Sequence, residues 1–364
     1  MKRKILIPLA ILVVIIAAIA IYFTQKPKEP ETIKIGAILP LTGELSIFGN
    51  WLKEGIEFAL AEQNLSNIKI IYEDNQGQVT KAVSAFRKLS TVDKVKAIIT
   101  AQTSIANALL PLANSERILT IFTFADLPQG DKTYILNYHF PVQDEVSILA
   151  KFTYTELGKK GAIIIVNDEF GRLSSELFMR EFKGDIVFKE EIPLSQRDFR
   201  TLLLLLKNKN PDFIFLITYA EQLVALVKAI KEAKIEAPIV SPNILTVYLS
   251  LVEKYLQKAY FTTILSEAKR SESKLYENFI NNYKVKTGNE PNLVIMEAYE
   301  ATKILLKALV NNPRDPSKFF DNLKVVESVF GNVTIDNNRQ AHFPLAIVEF
   351  KKGQKNRIVF EYYP

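Results

Sequence analysis

The feature that most constrains the fold is a regular alternation of short apolar, β-rich runs with amphipathic helical stretches. The strand-like runs occupy residues 33–39, 68–72, 97–100, 118–122, 162–166, 186–192 and 213–218. Helical spacing of apolar residues fills the intervals, as it does at Trp51, Ile56, Phe58 and Leu60. Strands that alternate with helices in this way predict parallel sheets with helices on both faces.

The alternation restarts after Tyr138, so two α/β units of similar size follow one another along the chain. A chain of 364 residues is long enough for two domains. The last third differs, because it holds two long helical stretches, 273–286 and 293–310, and two β-like runs, 345–351 and 356–362. We expect these segments to complete both lobes, with the chain crossing between them more than once.

The N-terminus, residues 1–23, is predicted to be a membrane anchor or an export signal. Three basic residues precede an uncharged apolar run, Ile5–Phe23, whose length roughly matches the ~30 Å core of a bilayer. Basic residues before such a run predict that everything after Phe23 lies outside the cytoplasm. An uncleaved anchor fits the length, and a signal peptide cut near Ala18-Ile19-Ala20 is the alternative. Residues 24–31 contain two prolines and no apolar pattern, which predicts an extended spacer.

Composition excludes several classes of function. The chain has no Cys, so disulfides, thiolate metal sites and cysteine nucleophiles are impossible. Its two histidines, His139 and His342, are far apart in sequence, which excludes a histidine-rich metal site. The net charge of +6 is modest and dispersed, so we expect no nucleic-acid partner.

Sequence motifs of common enzymes are also missing. The chain has no G-x-G-x-x-G, no G-x-x-x-x-G-K-[ST] and no G-x-S-x-G. We therefore expect no catalytic residues, no metal and no cofactor. If the protein were an enzyme, Asp126 and Glu221 would be its candidate acid–base pair.

Candidate ligand contacts lie where strands end and helices begin, because ligands of doubly wound sheets bind beyond the carboxyl ends of the strands. The strand that ends near Gln102 leads into Thr103 and Ser104, which open a helix. Free N–H groups and the helix dipole at this point favour a carboxylate. The alternative is that the two hydroxyls only cap the helix. For His139, between the two units, contact with a ligand and a role as a polar linker residue are both open.

Seven short segments occur in the order and spacing of a known family. They are Ile33–Gly43, Phe48-Gly49, Gly55–Ala59, Tyr72–Gln76, Asn167–Gly171, Pro211–Phe215 and Ala298–Ala301. Together they resemble the type I periplasmic solute-binding proteins of ABC importers, in the branch that binds the branched-chain amino acids Leu, Ile and Val. The resemblance runs from about residue 32 almost to the C-terminus.

The resemblance implies an α/β fold of two Rossmann-like lobes, whose parallel sheets are joined by a three-crossover hinge. Lobe 1 is expected to comprise residues 32–138 and 262–329, and lobe 2 residues 139–261 and 330–364. A small ligand, an amino acid or a related compound in view of the family, would bind between the lobes, and an ABC permease would be the partner. The ligand-binding residues implied by position are Phe48, Thr103, Ser104, Thr123, Phe124, Phe170, Tyr219 and Glu221.

The resemblance assigns different roles to these residues. Thr103 and Ser104 would bind a carboxylate, and Glu221 would suit an ammonium group. The aromatic members would line the cleft.

One segment departs from the family pattern. The family commonly has Ser-x-Ser-Ala-Thr after its fourth strand, whereas this chain has Phe122-Thr123-Phe124-Ala125-Asp126. A carboxylate at Asp126 would repel a ligand carboxylate, so either it points away or the ligand is not an ordinary amino acid. The additional phenylalanines favour a larger apolar ligand, and core positions for Phe122 and Phe124 are the alternative.

Two functions share this fold. The first is a solute receptor that closes around its ligand by a hinge motion and delivers it to an importer. The second is a ligand sensor, anchored by residues 5–23, that acts on a signalling partner.

Overall fold

The computed structural model describes residues 32–63, 67–269 and 273–364. The predicted membrane segment, residues 1–23, and the predicted spacer, residues 24–31, lie outside the described residues. Among the residues that are described, no helix is long and apolar enough to cross a membrane.

The first α/β unit begins with the strand predicted from the sequence. Its strands are β1 (Ile33–Leu39), β2 (Ile68–Asp74), β3 (Ala97–Ala101), β4 (Leu119–Thr123) and β5 (Ile135–Asn137). Its helices are α1 (Ser46–Gln63), α2 (Val79–Arg87), which continues as a π-helical turn over Lys88–Asp93, and α3 (Thr103–Glu116). All five strands are parallel, in the order β2-β1-β3-β4-β5. This sheet is the centre of lobe 1.

The second α/β unit supplies most of a larger sheet. Its strands are β6 (Lys160–Val166), β7 (Asp185–Ile192), β8 (Phe213–Ile217), β9 (Ile239–Ser241) and β10 (Lys258–Ile264). Its helices are α4 (Val142–Glu156), α5 (Glu169–Glu181), α6 (Arg200–Lys209), α7 (Ala220–Glu232), α8 (Ile244–Val252) and α9 (Leu265–Lys269). The interior strand β8 is buried along its whole length, as expected for a parallel strand covered by helices on both faces.

The C-terminal third completes both lobes. It contains α10 (Lys274–Thr287), α11 (Leu293–Asn311), a 3₁₀ helix (Pro316–Asn322), β11 (Val325–Ser328), β12 (Gly331–Ile335), β13 (Ala341–His342), β14 (Leu345–Lys351) and β15 (Arg357–Tyr362). Strands β14 and β15 add antiparallel to the larger sheet, which has the order β15-β14-β10-β9-β8-β6-β7. Strands β11 to β13 form a small antiparallel sheet that meets β5 through an Asn137–Gln340 bridge.

The chain therefore passes between the lobes three times, which confirms the predicted fold class. The division into lobes at residues 261/262 and 329/330 stays a prediction. Strand β10 continues past residue 261 within the larger sheet, and the β11–β12 hairpin spans residues 329 and 330. We accordingly propose that the second crossover follows α9 and that the third lies near residues 342–344.

Lobe 1 is held together by a close approach of α1 and α11. The two helices meet where α1 has Gly55, and a Cβ added there would stand 2.3 Å from the Ile295 carbonyl oxygen and 2.8 Å from the Ala298 Cβ. Helix α11 is almost entirely buried, and the Asn292 side chain caps it by accepting a hydrogen bond from the Ile295 N–H at 3.0 Å. Only a residue without a side chain fits at position 55.

Gly55→Ala is expected to destabilise the protein by roughly 1–3 kcal/mol, because the added methyl group must push a backbone carbonyl aside. The better helix propensity of Ala, about 1 kcal/mol, opposes this loss without cancelling it. Urea unfolding of the purified protein measures the difference. Ala61→Gly, at an exposed position of the same helix, serves as the control and should lose at most about 1 kcal/mol. A Gly55→Ala protein as stable as the parent would contradict the tight contact.

Candidate functional site

A cavity lies between the two lobes, at the carboxyl ends of strands from both sheets. It has about 620 Å³ of empty space, part of which opens to solvent. The lining residues are Leu45, Phe48, Gln102, Thr103, Ser104, Phe124, Ala125, His139, Val142, Asp168, Phe170, Tyr219, Asn243, Ile244 and Tyr248.

Six of the eight site residues predicted from the sequence line this cavity. They are Phe48, Thr103, Ser104, Phe124, Phe170 and Tyr219. The other two do not line it. Thr123 is the last residue of β4 and is buried in the interior, and Glu221 is exposed on the first turn of α7. The backbone of Ala220 has a φ of +42°, so α7 begins with a sharp turn after Tyr219.

The segment that departs from the family pattern places its side chains in different directions. Phe122 is fully buried in the core of lobe 1, whereas Phe124 reaches the cavity. Asp126 lies outside the lining, and its Oδ1 accepts a hydrogen bond from the Val142 N–H at 3.2 Å. Burial raises the pKa of Asp126, and the hydrogen bond from Val142 opposes that rise. Asp126 therefore points away from the ligand space, toward the start of α4.

The start of α3 faces the cavity with backbone N–H groups and two hydroxyls. Thr103 Oγ1 accepts a hydrogen bond from the Asp126 N–H at 3.1 Å, which leaves its own hydroxyl proton free to donate. Within the described part of the chain, the Ser104 hydroxyl has no hydrogen-bond partner, and it is partly exposed to the cavity. Unpaired N–H groups at a helix start, together with such hydroxyls, favour a carboxylate.

The backbone is strained where β3 and β4 end. Gln102, just before α3, has φ +79° and ψ 133°, which L side chains rarely adopt, and Phe124 has φ +46°. The Gln102 N–H donates to the Phe124 carbonyl at 3.2 Å, so each residue holds the other in place. Strain of this kind costs about 1–3 kcal/mol per residue and concentrates at functional sites. Both residues line the cavity.

Gln102→Gly is expected to relieve this strain and stabilise the ligand-free protein by about 1 kcal/mol, because glycine adopts φ > 0 without a steric penalty. The same change should weaken ligand binding, because the start of α3 becomes less rigid. Thermal unfolding without ligand measures the change in stability. Calorimetric titration with a compound that the parent protein binds measures the change in affinity. Gln76→Gly, at a second positive φ (φ +50°) outside the cavity, is the control that should change stability alone. Unaltered or lower stability of Gln102→Gly would argue against strain at this position.

Aromatic rings from both lobes form the walls of the cavity. Phe48 and Phe124 pack edge to face with their ring centroids 5.5 Å apart, and Phe124 also packs against the His139 ring at 4.7 Å. Phe170, Tyr219 and Tyr248 face them from lobe 2. An apolar, aromatic chamber of this kind suits a ligand with a hydrophobic body.

His139 lines the cavity on the first crossover and forms a buried pair with Glu297 of α11. Its Nδ1 lies 3.0 Å from both carboxylate oxygens, and Glu297 Oε1 also accepts a hydrogen bond from the Phe124 N–H at 3.2 Å. Burial raises the pKa of Glu297, and the nearby His139 opposes that rise. The pair fixes the crossover and one aromatic wall to the interior of lobe 1.

In the described chain, Asp168 is the only carboxylate that lines the cavity. Its Oδ1 caps α5 by accepting from the Gly171 N–H at 2.7 Å, and its Oδ2 accepts from the Tyr219 hydroxyl at 2.6 Å. Burial raises the pKa of Asp168, which its hydrogen bonds oppose. Both oxygens thus already serve the protein itself.

Glu145 lies behind the lobe 2 wall of the cavity and fixes that wall by hydrogen bonds. It is fully buried on α4, and its Oε1 accepts from the Asn243 N–H and from the Thr262 hydroxyl, each at 2.5 Å. Burial raises the pKa of Glu145 to about 7, although these hydrogen bonds and His139 act in the opposite direction. The carboxyl group therefore titrates near neutral pH.

Glu145→Gln is expected to make the stability of the protein less dependent on pH. The pKa of Glu145 is raised from 4.5 to about 7 in the folded chain. Across that window the folded state binds more protons than the unfolded state, so a rising pH destabilises it. The full shift corresponds to roughly 3 kcal/mol. The variant should match the parent near pH ~5 and exceed its free energy of unfolding near pH ~8 by up to that amount.

Urea unfolding at both pH values measures this effect. Glu156→Gln, on the exposed end of the same helix, should change stability equally at the two pH values. A Glu145→Gln difference that does not vary with pH would contradict the raised pKa.

The two lobes touch across the mouth of the cavity. Arg197 of lobe 2 pairs with Glu44 of lobe 1, and the Asn107 amide donates to Glu169. The Trp51 and Tyr248 rings also meet across the cleft, with centroids 5.8 Å apart. The described arrangement is therefore a closed one.

The described residues contain no group of three or more His, Cys, Asp or Glu side chains that could hold a metal ion. The cavity is built for polar and aromatic contacts instead.

Several lining residues were not predicted from the sequence. Asp168 follows β6 and Asn243 follows β9, so the strand-end rule that identified Thr103 applies to them as well. Leu45, Val142, Ile244 and Tyr248 carry no signal of their own, since apolar residues of this kind occur in every core.

Comparisons with known proteins agree with this geometry. The periplasmic binding protein family matches residues 32–355. No curated protein matches the chain. Among solved structures, the leucine-binding protein LivK of Thermotoga maritima is similar, with a TM-score of 0.80 and 22% identity, covering 91% of this chain and 99% of that chain.

Two further structures are similar to the same extent. LivJ of Streptococcus pneumoniae, in complex with isoleucine, has a TM-score of 0.81 and 21% identity, and the match covers 90% of this chain and 99% of that one. A solute-binding protein from Rhodopseudomonas palustris, in complex with 3,4-dihydroxybenzoic acid, has a TM-score of 0.79 and 21% identity, covering 92% and 97%. These likenesses show the fold, and the family match shows more: the chain belongs to the periplasmic binding protein family.

Proposed function

We propose that this protein captures a small organic carboxylate between its lobes outside the cytoplasm and delivers it to an ABC importer. The observation that carries this proposal is the cavity itself. Hydroxyls and free N–H groups at the start of α3, with Thr103 and Ser104, face aromatic side chains of the other lobe, Phe170 and Tyr219. One end of the cavity suits an anion and the rest suits an apolar body.

Membership of the periplasmic binding protein family supports a binding role. The similar structures include solute-binding proteins of ABC transporters, among them complexes with isoleucine, benzoate and 3,4-dihydroxybenzoic acid. Their ligands share a carboxylate and differ in almost everything else. The alternative function, a ligand sensor for a signalling partner, gains no support from the described residues, so we propose import.

Ligand capture follows from the closed arrangement. A ligand that contacts α3 on lobe 1 and the aromatic residues of lobe 2 binds the closed form better than an open one, and so shifts the population toward closure. The exposed Glu44–Arg197 pair adds little to this shift, since such pairs contribute about 0–1 kcal/mol. The closed form is the state that we expect the permease to recognise.

Ser104→Ala is expected to lower the affinity for a carboxylate ligand about ten-fold, since a hydrogen bond to a charged group contributes about 1.5–3 kcal/mol. The unfolding temperature of the ligand-free protein should not change, because the Ser104 hydroxyl has no internal partner in the described structure. Isothermal titration with a carboxylate found by a thermal-shift screen provides the measurement.

The matched control is Ser115→Ala, at the exposed far end of the same helix, where affinity should stay at the parental value. If none of the carboxylates, amides and amino acids in the screen raises the unfolding temperature, the proposed function is wrong. If Ser104→Ala binds the ligand as tightly as the parent protein does, the start of α3 is not the carboxylate site.

A further inference from the structure

We infer that the ligand is an aromatic carboxylic acid without an amino group, and that Asn243 selects against the ammonium of an amino acid. This inference rests on the proposed function and concerns the same cavity. It depends on three features of the lining: which charges face the ligand, which buried polar atoms lack a partner, and what forms the walls. Two lining residues have such an atom among the described residues, the donor Asn243 Nδ2 and the acceptor Gln102 Oε1.

Among the described residues, the lining offers an ammonium group no carboxylate oxygen that is free of hydrogen bonds. Asp168 is the one carboxylate in the described lining, and its two oxygens accept hydrogen bonds from Gly171 and Tyr219. Glu145 and Glu297 lie behind the lining, each engaged by backbone and side-chain groups of the protein. A buried ammonium would have to share Asp168 with these two donors, which weakens the pairing, and a weakly paired buried charge is disfavoured.

Asn243 instead has a buried hydrogen-bond donor that lacks a partner among the described residues. Its side chain is 3% exposed, it lines the cavity, and the amide Nδ2 is buried without a partner among the described residues. Its backbone N–H is fixed by Glu145 at 2.5 Å, so the residue is held in place from behind. A buried donor requires an acceptor, which a ligand hydroxyl, carbonyl or carboxylate oxygen supplies and an ammonium does not.

The walls favour a ring. Phe48 and Phe124 present an edge-to-face pair on one side, and Phe170, Tyr219 and Tyr248 lie on the other. Aromatic rings pack well in edge-to-face and offset arrangements against such side chains. A planar aromatic body fits between these walls, with its carboxylate at α3 and a polar substituent near Asn243.

Matched ligand pairs test the inference on the parent protein. 3-Phenylpropanoate and L-phenylalanine differ only in the amino group, as do 4-methylpentanoate and L-leucine; benzoate and 4-hydroxybenzoate extend the acid series. In isothermal titration, each acid should bind at least about ten-fold more tightly than its amino acid, because the amino acid leaves a buried charge weakly paired. 4-Hydroxybenzoate should bind more tightly than benzoate, since its hydroxyl gives Asn243 an acceptor.

Asn243→Asp tests the role of the amide with almost no change in shape. It exchanges a donor for a carboxylate, so the affinity for 4-hydroxybenzoate should fall at least about ten-fold and that for L-phenylalanine should rise. Asn243→Leu is the control: it should weaken binding of the acid without improving that of the amino acid. Circular dichroism and the unfolding temperature confirm that both variants fold.

Each result has a separate meaning. If the parent protein binds the amino acids more tightly than their deaminated counterparts, this inference is wrong and the proposed function still holds. Unchanged selectivity in Asn243→Asp overturns the role of Asn243 in selection. If no compound of either series binds, this inference fails, and the broader screen of carboxylates, amides and amino acids decides the proposed function.

Discussion

Much of the cleft depends on one buried carboxylate, that of Glu297. It accepts a hydrogen bond from the Phe124 backbone and contacts His139 on the first crossover, while its own helix, α11, packs into the core of lobe 1. Removal of one partner of such a buried hydrogen-bonded pair leaves the other unsatisfied, which typically costs about 1–3 kcal/mol. An aromatic wall of the cavity and the path of the chain between the lobes are therefore set by the same contact.

Hydrophobic periodicity predicted most of the fold, because long α/β repeats have a strong pattern. Strand β1 and strand β14 begin and end where the sequence places them, and the alternation correctly indicated two parallel sheets. The segment from 239 to 264 was not assigned. Its first strand has only three residues, and α8 is apolar on nearly every side, so neither has a period that separates strand from helix.

The site was partly predictable for a different reason. The rule that ligands bind beyond strand ends identified Thr103 and Ser104, and the family resemblance added Phe124; all three line the cavity. Side-chain direction was not predictable, because it depends on backbone angles such as the positive φ of Phe124, after which Asp126 turns toward Val142. Glu221 lies one residue beyond a similar turn and faces solvent. Partners distant in sequence, such as Glu145 and Asn243, leave no local signal.

The close contact between α1 and α11 also bears on how the molecule forms. Gly55 meets residues 295 and 298, and β10 pairs with β14, so neither lobe can complete its core until the last third of the chain is present. Contacts between such distant segments must pay a large loop-closure entropy and slow the folding of a domain. During synthesis the first two α/β units remain without their covering elements. We expect a chain of this topology to acquire its stable structure late, after its C-terminal strands have been made.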